Sequence, residues 1–356
     1  MSIPSPTGVD RVLGGKYRVD ELLGMGGFGA VYRGWHLLLD VPVAIKIAFH
    51  FDGTPSQRFR REARTLMRLR HPHIVRVYDY GREEDGRTYM VQEFVEGLPL
   101  DTVIGALGPL DPATAIRVAL QTLDALGEAH RSGVVHRDVK PGNLMVRDHP
   151  DGVWVQLLDF GVAQVDGSVD ALLDDASPER TRPGAALGTP AYMAPEQIQG
   201  RAAPASDLYA LGVTLFRVLT GRCPFPQPAP AVYLAHLGEP VPALPSTVPA
   251  ALAAVIHRAM AKAPADRYPS AEAMAAALEA ALETLPARPS SPLVARVPRE
   301  ARRPVGPLAS APTAPTAPTA PEEHAGEAPS AAALHPERAS VEPISDLASP
   351  DLTSGD

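Results

Sequence analysis

A lysine inside an apolar strand is the sequence feature that most constrains the fold of this chain. Val43-Ala-Ile-Lys46 is β-branched and apolar, and it predicts a strand with a buried face. An ammonium group there is costly to bury unless it has an anionic partner. Glu62 is the predicted partner, because it lies beside Phe59 and Leu66 on the apolar edge of a predicted helix. An ordinary surface glutamate at this position would leave Lys46 unpaired.

A glycine-rich stretch precedes this strand. In Gly24-Met-Gly-Gly-Phe-Gly-Ala-Val31 the glycines let the backbone approach phosphate groups with no side chain in the way. The same G-x-G-x-x-G spacing also suits a dinucleotide-binding turn of the Rossmann type. That alternative requires a helix after the glycines, whereas Ala30-Val-Tyr-Arg33 is prone to form a strand. The stretch therefore favours a phosphate-binding loop between two strands.

Three further motifs follow along the chain. His136-Arg-Asp-Val-Lys-Pro-Gly-Asn143 groups a carboxylate, an ammonium group and an amide within one short loop. Val153-Trp-Val-Gln-Leu-Leu158 predicts a strand that runs directly into Asp159-Phe-Gly161. Gly188-Thr-Pro-Ala-Tyr-Met-Ala-Pro-Glu196 comes next. A polar surface loop can match one such motif by chance, but the occurrence of all of them in this order opposes that interpretation.

Together the motifs resemble those of protein kinases, and from Tyr17 to Leu285 the chain is similar to bacterial eukaryotic-like serine/threonine protein kinases. The resemblance implies an α+β, bilobal protein-kinase-like fold. A small β-rich first lobe with one helix would cover about 17–93, and a larger helical second lobe about 96–285, after an N-terminal extension at 1–16. It also implies transfer of the γ-phosphate of ATP to Ser/Thr hydroxyls of protein substrates.

The resemblance assigns roles to residues of the catalytic loop, 136–143, and of the motif that follows it. Asp138 would accept the proton of the attacking hydroxyl, and Lys140 would steady the γ-phosphate. Asn143 and Asp159 would hold Mg²⁺, for which Mn²⁺ can substitute. Thr189, together with Lys140, is typical of serine/threonine rather than tyrosine kinases.

The implied ATP site lies between the two lobes. Lys46, paired with Glu62, would position the α- and β-phosphates. The carbonyl of Glu93 and the amide of Val95 would bond the edge of adenine, with Gln92 behind it. Further contacts with ATP are implied for Leu23, Gly24, Met25, Gly26, Gly27, Phe28, Gly29, Val31, Ala44 and Met145.

Control by phosphorylation is implied for the segment between Asp159 and Glu196. Arg137 precedes the catalytic aspartate, and an arginine there is typically held by a phosphate on this segment through charge-assisted hydrogen bonds. Thr181 is the first candidate for that phosphate and Ser177 the second. The alternative, that both are simple loop hydroxyls, stays open.

Three more positions around the catalytic loop take their interpretation from the resemblance. Asp207 would brace the backbone of the loop, and Arg267 would pair with Glu196. Gly142 stands where kinases that select basic substrates often carry a glutamate. The sequence therefore predicts no strong demand for basic residues before the phosphoacceptor.

The implied packing column through both lobes consists of Leu66, Val77, His136 and Phe160.

Composition excludes several other classes of protein. The formal net charge of −8 argues against nucleic acid or an anionic membrane surface as the main partner. The single cysteine, Cys223, excludes a disulfide framework and fits a reducing cytoplasm. No window approaches the ~20 apolar residues of a membrane span, and residues 1–10 lack the apolar run of a signal peptide. We therefore expect a cytoplasmic protein. The resemblance to kinases also implies that the protein could self-associate through the first lobe.

The composition changes abruptly after Leu285. Residues 286–356 are rich in Pro, Ala, Ser and Thr, and a short Ala-Pro-Thr repeat covers 311–319. Such a segment lacks the apolar periodicity needed to offset the entropy of ordering the chain. The sequence predicts a disordered tail with polyproline II character.

Three other functions are compatible with parts of this sequence. A pseudokinase would bind nucleotide without turnover, and it is disfavoured because Lys46, Glu62, Asp138, Asn143 and Asp159 are all present. A small-molecule kinase of the aminoglycoside or choline type usually lacks the equivalent of Lys140 and the 188–196 motif. A scaffold acting through the tail is testable by deleting the chain from 286 onward.

Overall fold

The computed structural model of this protein describes residues 11–26, 29–48, 63–64, 66–83, 86–150, 152–160, 189–286 and 292–302. Within these ranges the chain forms a β-rich first lobe followed by a helical second lobe. The predicted bilobal α+β fold is confirmed.

An antiparallel sheet, six-stranded over the described residues, forms the first lobe. Its strands are β1 (Val12–Leu13), β2 (Tyr17–Gly26), β3 (Gly29–His36), β4 (Val41–Ala48), β5 (Val77–Arg82) and β6 (Thr88–Glu93). Their spatial order is β1-β2-β3-β4-β6-β5. Between β4 and β5, the described residues Ala63, Arg64 and Leu66 are helical.

Alternation along β4 separates the core face of this sheet from the face that carries Lys46. Val43, Ile45 and Ile47 are buried and pack with side chains from β2, β3 and β6. Ala44 and Lys46 alternate with them and are half-buried on the opposite face. The side chain of Lys46 therefore points away from the core of the first lobe and toward the second lobe, where it contacts the carboxylate of Asp159.

Helices make up most of the second lobe. They are α1 (Leu100–Leu107), α2 (Pro112–Arg131), α3 (Pro195–Ile198), α4 (Pro204–Thr220), α5 (Ala231–Gly238), α6 (Ala250–Ala259) and α7 (Ala271–Glu283). Short 3-10 helices cover Pro141–Asn143, Pro190–Tyr192 and Pro264–Asp266. None of the helices in the described ranges is both long and apolar enough to cross a lipid bilayer.

Helix α4 is the centre of the second lobe. Every residue from 206 to 216 is buried, because α2 and α6 pack around it. A helix that is surrounded on all sides can afford apolar residues around its whole circumference. Asp207 is the charged member of this buried run, and its carboxylate is used by the catalytic loop.

A small antiparallel sheet connects the lobes. It contains β7 (Leu98–Pro99), β8 (Leu144–His149) and β9 (Gly152–Leu157) in that order. Val75 donates its N–H to the carbonyl of Leu157 at 3.0 Å, and Leu157 donates to the carbonyl of His73 at 2.8 Å. The chain just before β5 of the first lobe is thus hydrogen-bonded to the end of β9.

A short segment near the C-terminus, residues 292–302, packs on the second lobe, and we refer to it as the strap. It contains two 3-10 helices, Val294–Arg296 and Arg299–Arg302. Leu293 and Val297 are 4% and 1% exposed and belong to the main hydrophobic core. The second of the two 3-10 helices lies against α1.

One carboxylate anchors the strap. Asp148, near the end of β8, accepts the backbone N–H groups of Leu293, Val294 and Ala295 at 2.5, 2.8 and 2.7 Å. The sequence prediction had assigned all of 286–356 to a disordered tail, and the strap departs from it. Two apolar anchors and three charge-assisted hydrogen bonds offset the entropy of ordering eleven residues that composition alone marks as tail.

We expect the strap to contribute to the stability of the second lobe. A chain ending after Pro286 should have a free energy of unfolding about 3 kcal/mol lower than one ending after Arg302, because each buried aliphatic side chain contributes about 1.5–3 kcal/mol. Asp148→Ala should act in the same direction by about 1–2 kcal/mol. Urea unfolding measures both, with Asp124→Ala, which removes an exposed carboxylate on α2, as control. Equal stability of the two truncated chains would contradict this role.

Candidate active site

The ends of two paired strands bring the central polar residues together. Leu144, the first residue of β8, pairs with Leu157, the last residue of β9. Leu158 donates its N–H to the carbonyl of Asn143 at 2.8 Å. Asn143 and Asp159 therefore lie at the same edge of the small sheet, one just before β8 and the other just after β9.

A chain of charge-assisted contacts runs through the catalytic loop. Lys140 Nζ lies 2.7 Å from Asp138 Oδ2 and 2.5 Å from Thr189 Oγ1. Asn143 Nδ2 donates to the Asp138 carbonyl at 2.7 Å and to Asp138 Oδ2 at 2.9 Å. These contacts fix the orientation of the Asp138 carboxylate and connect it to the 189–196 segment.

Lys46 finds its anionic partner in the second lobe. Its Nζ lies 2.9 Å from Asp159 Oδ1, with 20% and 30% of the two side chains exposed. Burial alone would raise the pKa of Asp159, but the charges of Lys46 and Lys140 outweigh that effect and hold the pKa below its ordinary value. The predicted partner, Glu62, lies outside the described residues, so the structure shows the contact with Asp159 alone.

The buried carboxylate of Asp207 accepts hydrogen bonds from the backbone of the catalytic loop. Its Oδ2 accepts the N–H of His136 at 2.9 Å, and its Oδ1 accepts the N–H of Arg137 at 2.8 Å. His130 Nε2 lies 2.7 Å from Oδ2. The prediction that Asp207 braces this loop is confirmed. Arg137 has φ = 68° and Asp159 has φ = 39°, which costs non-glycine residues about 1–3 kcal/mol and requires this kind of support.

His136 links the two motifs as a neutral ring. Its Nδ1 accepts the N–H of Asp138 at 3.2 Å, and its Nε2 lies 2.8 Å from the Leu158 carbonyl, where it donates. Burial lowers the pKa of His136 despite the nearby carboxylates, in agreement with this pair of hydrogen bonds. The ring also packs on Phe160 at 4.6 Å between centroids. The other residues of the predicted column, Leu66 and Val77, are buried in the same core.

The described part of the glycine-rich stretch covers the end of β2 and the start of β3, where Gly26 pairs with Gly29. A Cβ on Gly29 would lie 2.3 Å from the Ile47 carbonyl oxygen, so only glycine allows β3 to approach β4 this closely. Gly24 is buried, whereas Leu23, Met25, Val31 and Ala44 are half-buried. Gly27 and Phe28 lie outside the described residues, and Gly26 is the last residue of β2.

Glu93 and Val95, the residues predicted to bond the edge of adenine, lie at the end of β6 and just after it, where the chain leads into the second lobe. Glu93 and Val95 are half-buried, and the N–H of Glu93 bonds the Arg76 carbonyl at 2.8 Å. Gln92 is buried and donates to the Met90 sulfur at 3.8 Å. Met145, on β8, is half-buried. Met145, like Val31 and Ala44, is thus neither buried in the core nor fully exposed.

Glu196 and Arg267 form a buried ion pair beside α4, as predicted. The two carboxylate oxygens each accept from the guanidinium at 2.8 Å. Arg267 donates further to the carbonyls of Ala261, Ala205 and Lys262 at 2.7–2.9 Å. Burial would raise the pKa of Glu196, and its hydrogen bonds with Arg267 and Ser206 lower it below its ordinary value. A fully hydrogen-bonded pair of this kind anchors the 189–196 segment.

Asn143 and Asp159 are the residues that could hold a divalent cation. They offer an amide oxygen and a carboxylate, the hard donors that Mg²⁺ and Mn²⁺ prefer. The amide nitrogen of Asn143 is used toward Asp138, which leaves its oxygen as the acceptor. The donor chemistry fits the predicted ion. In the described ranges, no group of three or more His, Cys, Asp or Glu side chains offers another metal site.

Several predicted residues lie outside the part of the chain that the structure describes. They are Glu62, Gly27, Phe28 and the phosphorylation candidates Thr181 and Ser177. Sequence reasoning missed the Lys46–Asp159 contact, because both residues had already been given other partners. It also missed Asp148, which carries no motif and accepts hydrogen bonds from the strap, 145–147 residues later in the sequence.

The fold and site define a protein kinase. The chain matches the family model described as protein kinase domain over residues 17–277, and it belongs to that family.

Its relatives among curated proteins are bacterial serine/threonine kinases. It is 40% identical over 287 residues to serine/threonine-protein kinase pkn3 of Myxococcus xanthus, which covers 76% of this chain and 51% of the relative. It is 38% identical over 283 residues to PrkC of Bacillus subtilis, covering 77% and 42%. For PknA of Mycobacterium tuberculosis the identity is 40% over 277 residues, covering 74% and 62%. The chain spans about half the length of the curated relatives it matches.

Among solved structures, Rad53 in complex with AMP-PNP is similar in fold. The TM-score is 0.59 at 24% sequence identity, and the alignment covers 73% of this chain and 64% of that one. This similarity supports the bilobal architecture.

We expect stability to fall as the pH falls from 7 to 5, with His236 as one cause. Its ring is fully buried beside Phe225 and Tyr209. Burial, with a smaller effect of the Lys262 charge, lowers its pKa to about 4. The unfolded chain has a histidine pKa of about 6.5, so below that pH the unfolded state binds the extra proton and is favoured.

The test compares the free energy of unfolding at pH 7 and pH 5. His236→Gln should reduce the loss between these pH values by about 2 kcal/mol, since each pKa unit corresponds to about 1.4 kcal/mol. His257→Gln, which removes an exposed histidine on α6, should leave the loss unchanged. Parallel pH profiles for wild type and His236→Gln would contradict the assignment.

Proposed function

We propose that this protein is an ATP-dependent serine/threonine protein kinase that transfers the γ-phosphate of ATP to hydroxyls of proteins, itself included. The observation that carries the proposal is the contact chain from Asp138 through Lys140 to Thr189, with Lys46 paired to Asp159. These contacts group two carboxylates and two ammonium groups, and under the proposal Asp138 would act as the base. Positioning and charge stabilisation of this kind are what phosphoryl transfer requires.

In the proposed step, Asp138 takes the proton from the substrate hydroxyl. The hydroxyl oxygen forms a bond to the γ-phosphorus, and the bond from that phosphorus to the bridging oxygen breaks, so that ADP leaves with the electron pair. Lys140 is held between Asp138 and Thr189, and its charge would stabilise the negative oxygens of the transferred group. Lys46 would neutralise the other phosphates.

The nucleotide is proposed to bind between β3, β4 and β8. Val31, Ala44 and Met145 would contact the adenine, and the backbone of Glu93 and Val95 would bond its edge. Asn143 and Asp159 would hold Mg²⁺ or Mn²⁺, which neutralises charge on the phosphates when bound. Support comes from the half-buried apolar side chains and from the oxygen donors at the end of the small sheet.

We propose protein hydroxyls as substrates and autophosphorylation at Thr181 or Ser177 as the means of control. Lys140 reaching Thr189 supports a serine/threonine preference. Arg137 would bind the phosphate once it is present. The single cysteine supports a cytoplasmic setting. A signalling role would follow from these properties.

Two substitutions test the proposal. Asp138→Asn should reduce phosphate transfer about 10²–10⁴-fold, because the base is lost. Lys46→Met should reduce it by about 10²–10³-fold, because a charge at the phosphates is lost. Phosphate incorporated into the protein and into a generic Ser/Thr substrate is measured, with sites mapped by mass spectrometry.

Matched controls remove the same charges elsewhere. Asp124→Asn on α2 and Lys16→Met near β2 alter exposed groups and should leave transfer within about twofold of wild type. Nucleotide binding without any transfer by wild type would favour the pseudokinase alternative. Transfer to aminoglycosides or choline alone would favour a small-molecule kinase.

We also infer that the first lobe mediates self-association, because one of its turns exposes a run of apolar side chains. The turn between β3 and β4 exposes Leu37, Leu38 and Leu39 by 42%, 80% and 67%, and Val41 beside them by 40%. A contiguous run of exposed apolar side chains is typical of a protein interface. A second copy of this chain is the proposed occupant.

Sedimentation velocity over a range of concentrations tests this surface. We expect wild type to shift toward a dimer as its concentration rises, and Leu38→Asp to stay monomeric. Leu234→Asp changes an equally apolar residue, 65% exposed on α5, and should behave as wild type. If the wild-type protein stays monomeric, or if both variants lose dimerisation equally, this surface is not the site of self-association.

A further inference from the structure

Lysine is rare in this chain, and one of the lysines has no role so far. Of the 33 Lys and Arg residues, four are lysines, at 16, 46, 140 and 262. Lys46 and Lys140 contact carboxylates of the candidate active site, and Lys16 lies 3.7 Å from Asp79 in the first lobe. Lys262 is half-buried in the second lobe. An ammonium group is compact and can lose its proton when buried, whereas a guanidinium stays charged.

The ammonium group of Lys262 holds the C-terminal end of helix α5. Its Nζ donates to the carbonyl oxygens of Ala235 and His236 at 3.2 and 2.9 Å. Carbonyls in the last turn of a helix lack donors within the helix and carry the negative end of its dipole, so a cation is favoured there. Nζ also lies 4.6 Å from the centre of the Phe225 ring, whose face attracts a cation.

The backbone of the same residue is connected to the ion pair beside α4. Arg267 donates from Nη2 to the carbonyl of Lys262 at 2.9 Å, and its guanidinium binds the carboxylate of Glu196. Lys262 therefore contacts α5 through its side chain and the Glu196–Arg267 pair through its backbone.

Both contacts lead to residues 189–198, which we call the acceptor segment. Glu196 belongs to this segment and anchors it to Arg267. Met193 and Ile198 of the segment pack against Tyr233 and Leu237 of α5. The acceptor segment is thus held from two sides, and Lys262 contacts the structure on each side.

The acceptor segment lies beside the proposed base. Thr189 is bonded to Lys140, and Asp138, Thr189 and Met193 line one small recess. Gln197 donates to the carbonyl of Arg137 at 2.7 Å. A protein that presents its hydroxyl to Asp138 must therefore lie against this segment, whereas the proposed adenine contacts come from β3, β4 and β8.

The charge of Lys262 depends on pH in the range from 7 to 9. Burial lowers its pKa to about 8, Arg267 adds to this effect, and Glu239 just after α5 opposes it. The ring of His236, which also lies at the end of α5, is neutral because burial lowers its pKa to about 4. The amine is therefore mainly charged at pH 7 and mainly neutral at pH 9.

We propose that Lys262 is a positioning residue for the protein substrate, because its ammonium group holds α5 against the acceptor segment. The proposal rests on the function proposed above. Lys262 then sets the affinity of the kinase for its protein substrate and leaves the affinity for ATP unchanged. Because the ammonium charge strengthens the contacts with the helix end and with Phe225, the affinity for protein decreases when the amine loses its proton.

Lys262→Met tests the positioning role, because it removes the charge and both hydrogen bonds. The KM for a threonine peptide should rise about five- to tenfold, and the KM for ATP should stay within about twofold of wild type. Lys16→Met removes an equal charge from the first lobe and should leave both values unchanged. A peptide KM that does not change in Lys262→Met would overturn the proposal.

A second variant tests the dependence on charge and decides the question even if Lys262→Met does not fold. Lys262→Arg stays charged from pH 7 to pH 9. For a peptide without groups that titrate in this range, the KM of wild type should rise about two- to fivefold from pH 7 to pH 9. This increase is smaller than in Lys262→Met, since a neutral amine still donates hydrogen bonds. Lys262→Arg should show no such increase, and parallel pH profiles would contradict the proposal.

Amide hydrogen exchange separates positioning from a general loss of stability. In Lys262→Met, exchange should become faster in α5 and in residues 193–198, and it should stay unchanged in helix α2. Faster exchange throughout the second lobe, with a higher KM for both peptide and ATP, would indicate destabilisation and count against the proposal.

The outcomes distinguish this proposal from the function on which it rests. Absence of transfer by wild type would count against the proposed function. The affinity for the same peptide, measured by fluorescence anisotropy, would then decide the role of Lys262. Binding about five- to tenfold weaker in Lys262→Met than in wild type would support that role, and equal binding would overturn it.

Discussion

The buried carboxylate of Asp207 is the contact on which the active-site geometry depends. It lies in the first turn of α4, the central helix of the second lobe, and accepts the N–H groups of His136 and Arg137. An unpaired carboxylate at this depth would cost several kcal/mol, so the loop and the helix stabilise each other. The loop can then hold Arg137 at φ = 68°, and this conformation aims the following residue, Asp138, into the cleft.

The remaining polar contacts extend this arrangement to the other motifs without adding net charge. His136 is neutral, and it joins Asp138 to the carbonyl of Leu158 through both ring nitrogens. Asp159 follows that leucine directly and meets Lys46 from the first lobe. The Lys46–Asp159 ion pair thus connects the first lobe to the second, and the buried ring of His136 connects two segments within the second lobe. A proton on His136 would break this connection, and burial disfavours it.

The sequence predicted most of the fold and most of the placement of the site, because the motif residues form patterns that the family resemblance ties to their partners. Asp207 under the loop and the Glu196–Arg267 pair belong to this group, although the partners are 70 or 71 residues apart in the sequence. Asp148 could not be found in this way, since it carries no pattern of its own. The strap was missed for a related reason: its composition is that of the tail, and two buried side chains decide its conformation.

Helix α1 connects the strap to the catalytic loop. The second 3-10 helix of the strap lies against α1, and the first turn of α1 carries Asp101 beside Gly142. A short helix of eight residues has little stability of its own and takes its position from what packs on it. Leu100, Val103 and Ile104 bury one face of α1 in the core, while the strap lies against the helix from the C-terminal part of the chain. The helix that carries this carboxylate beside the catalytic loop thus also packs against a segment almost 200 residues later in the sequence.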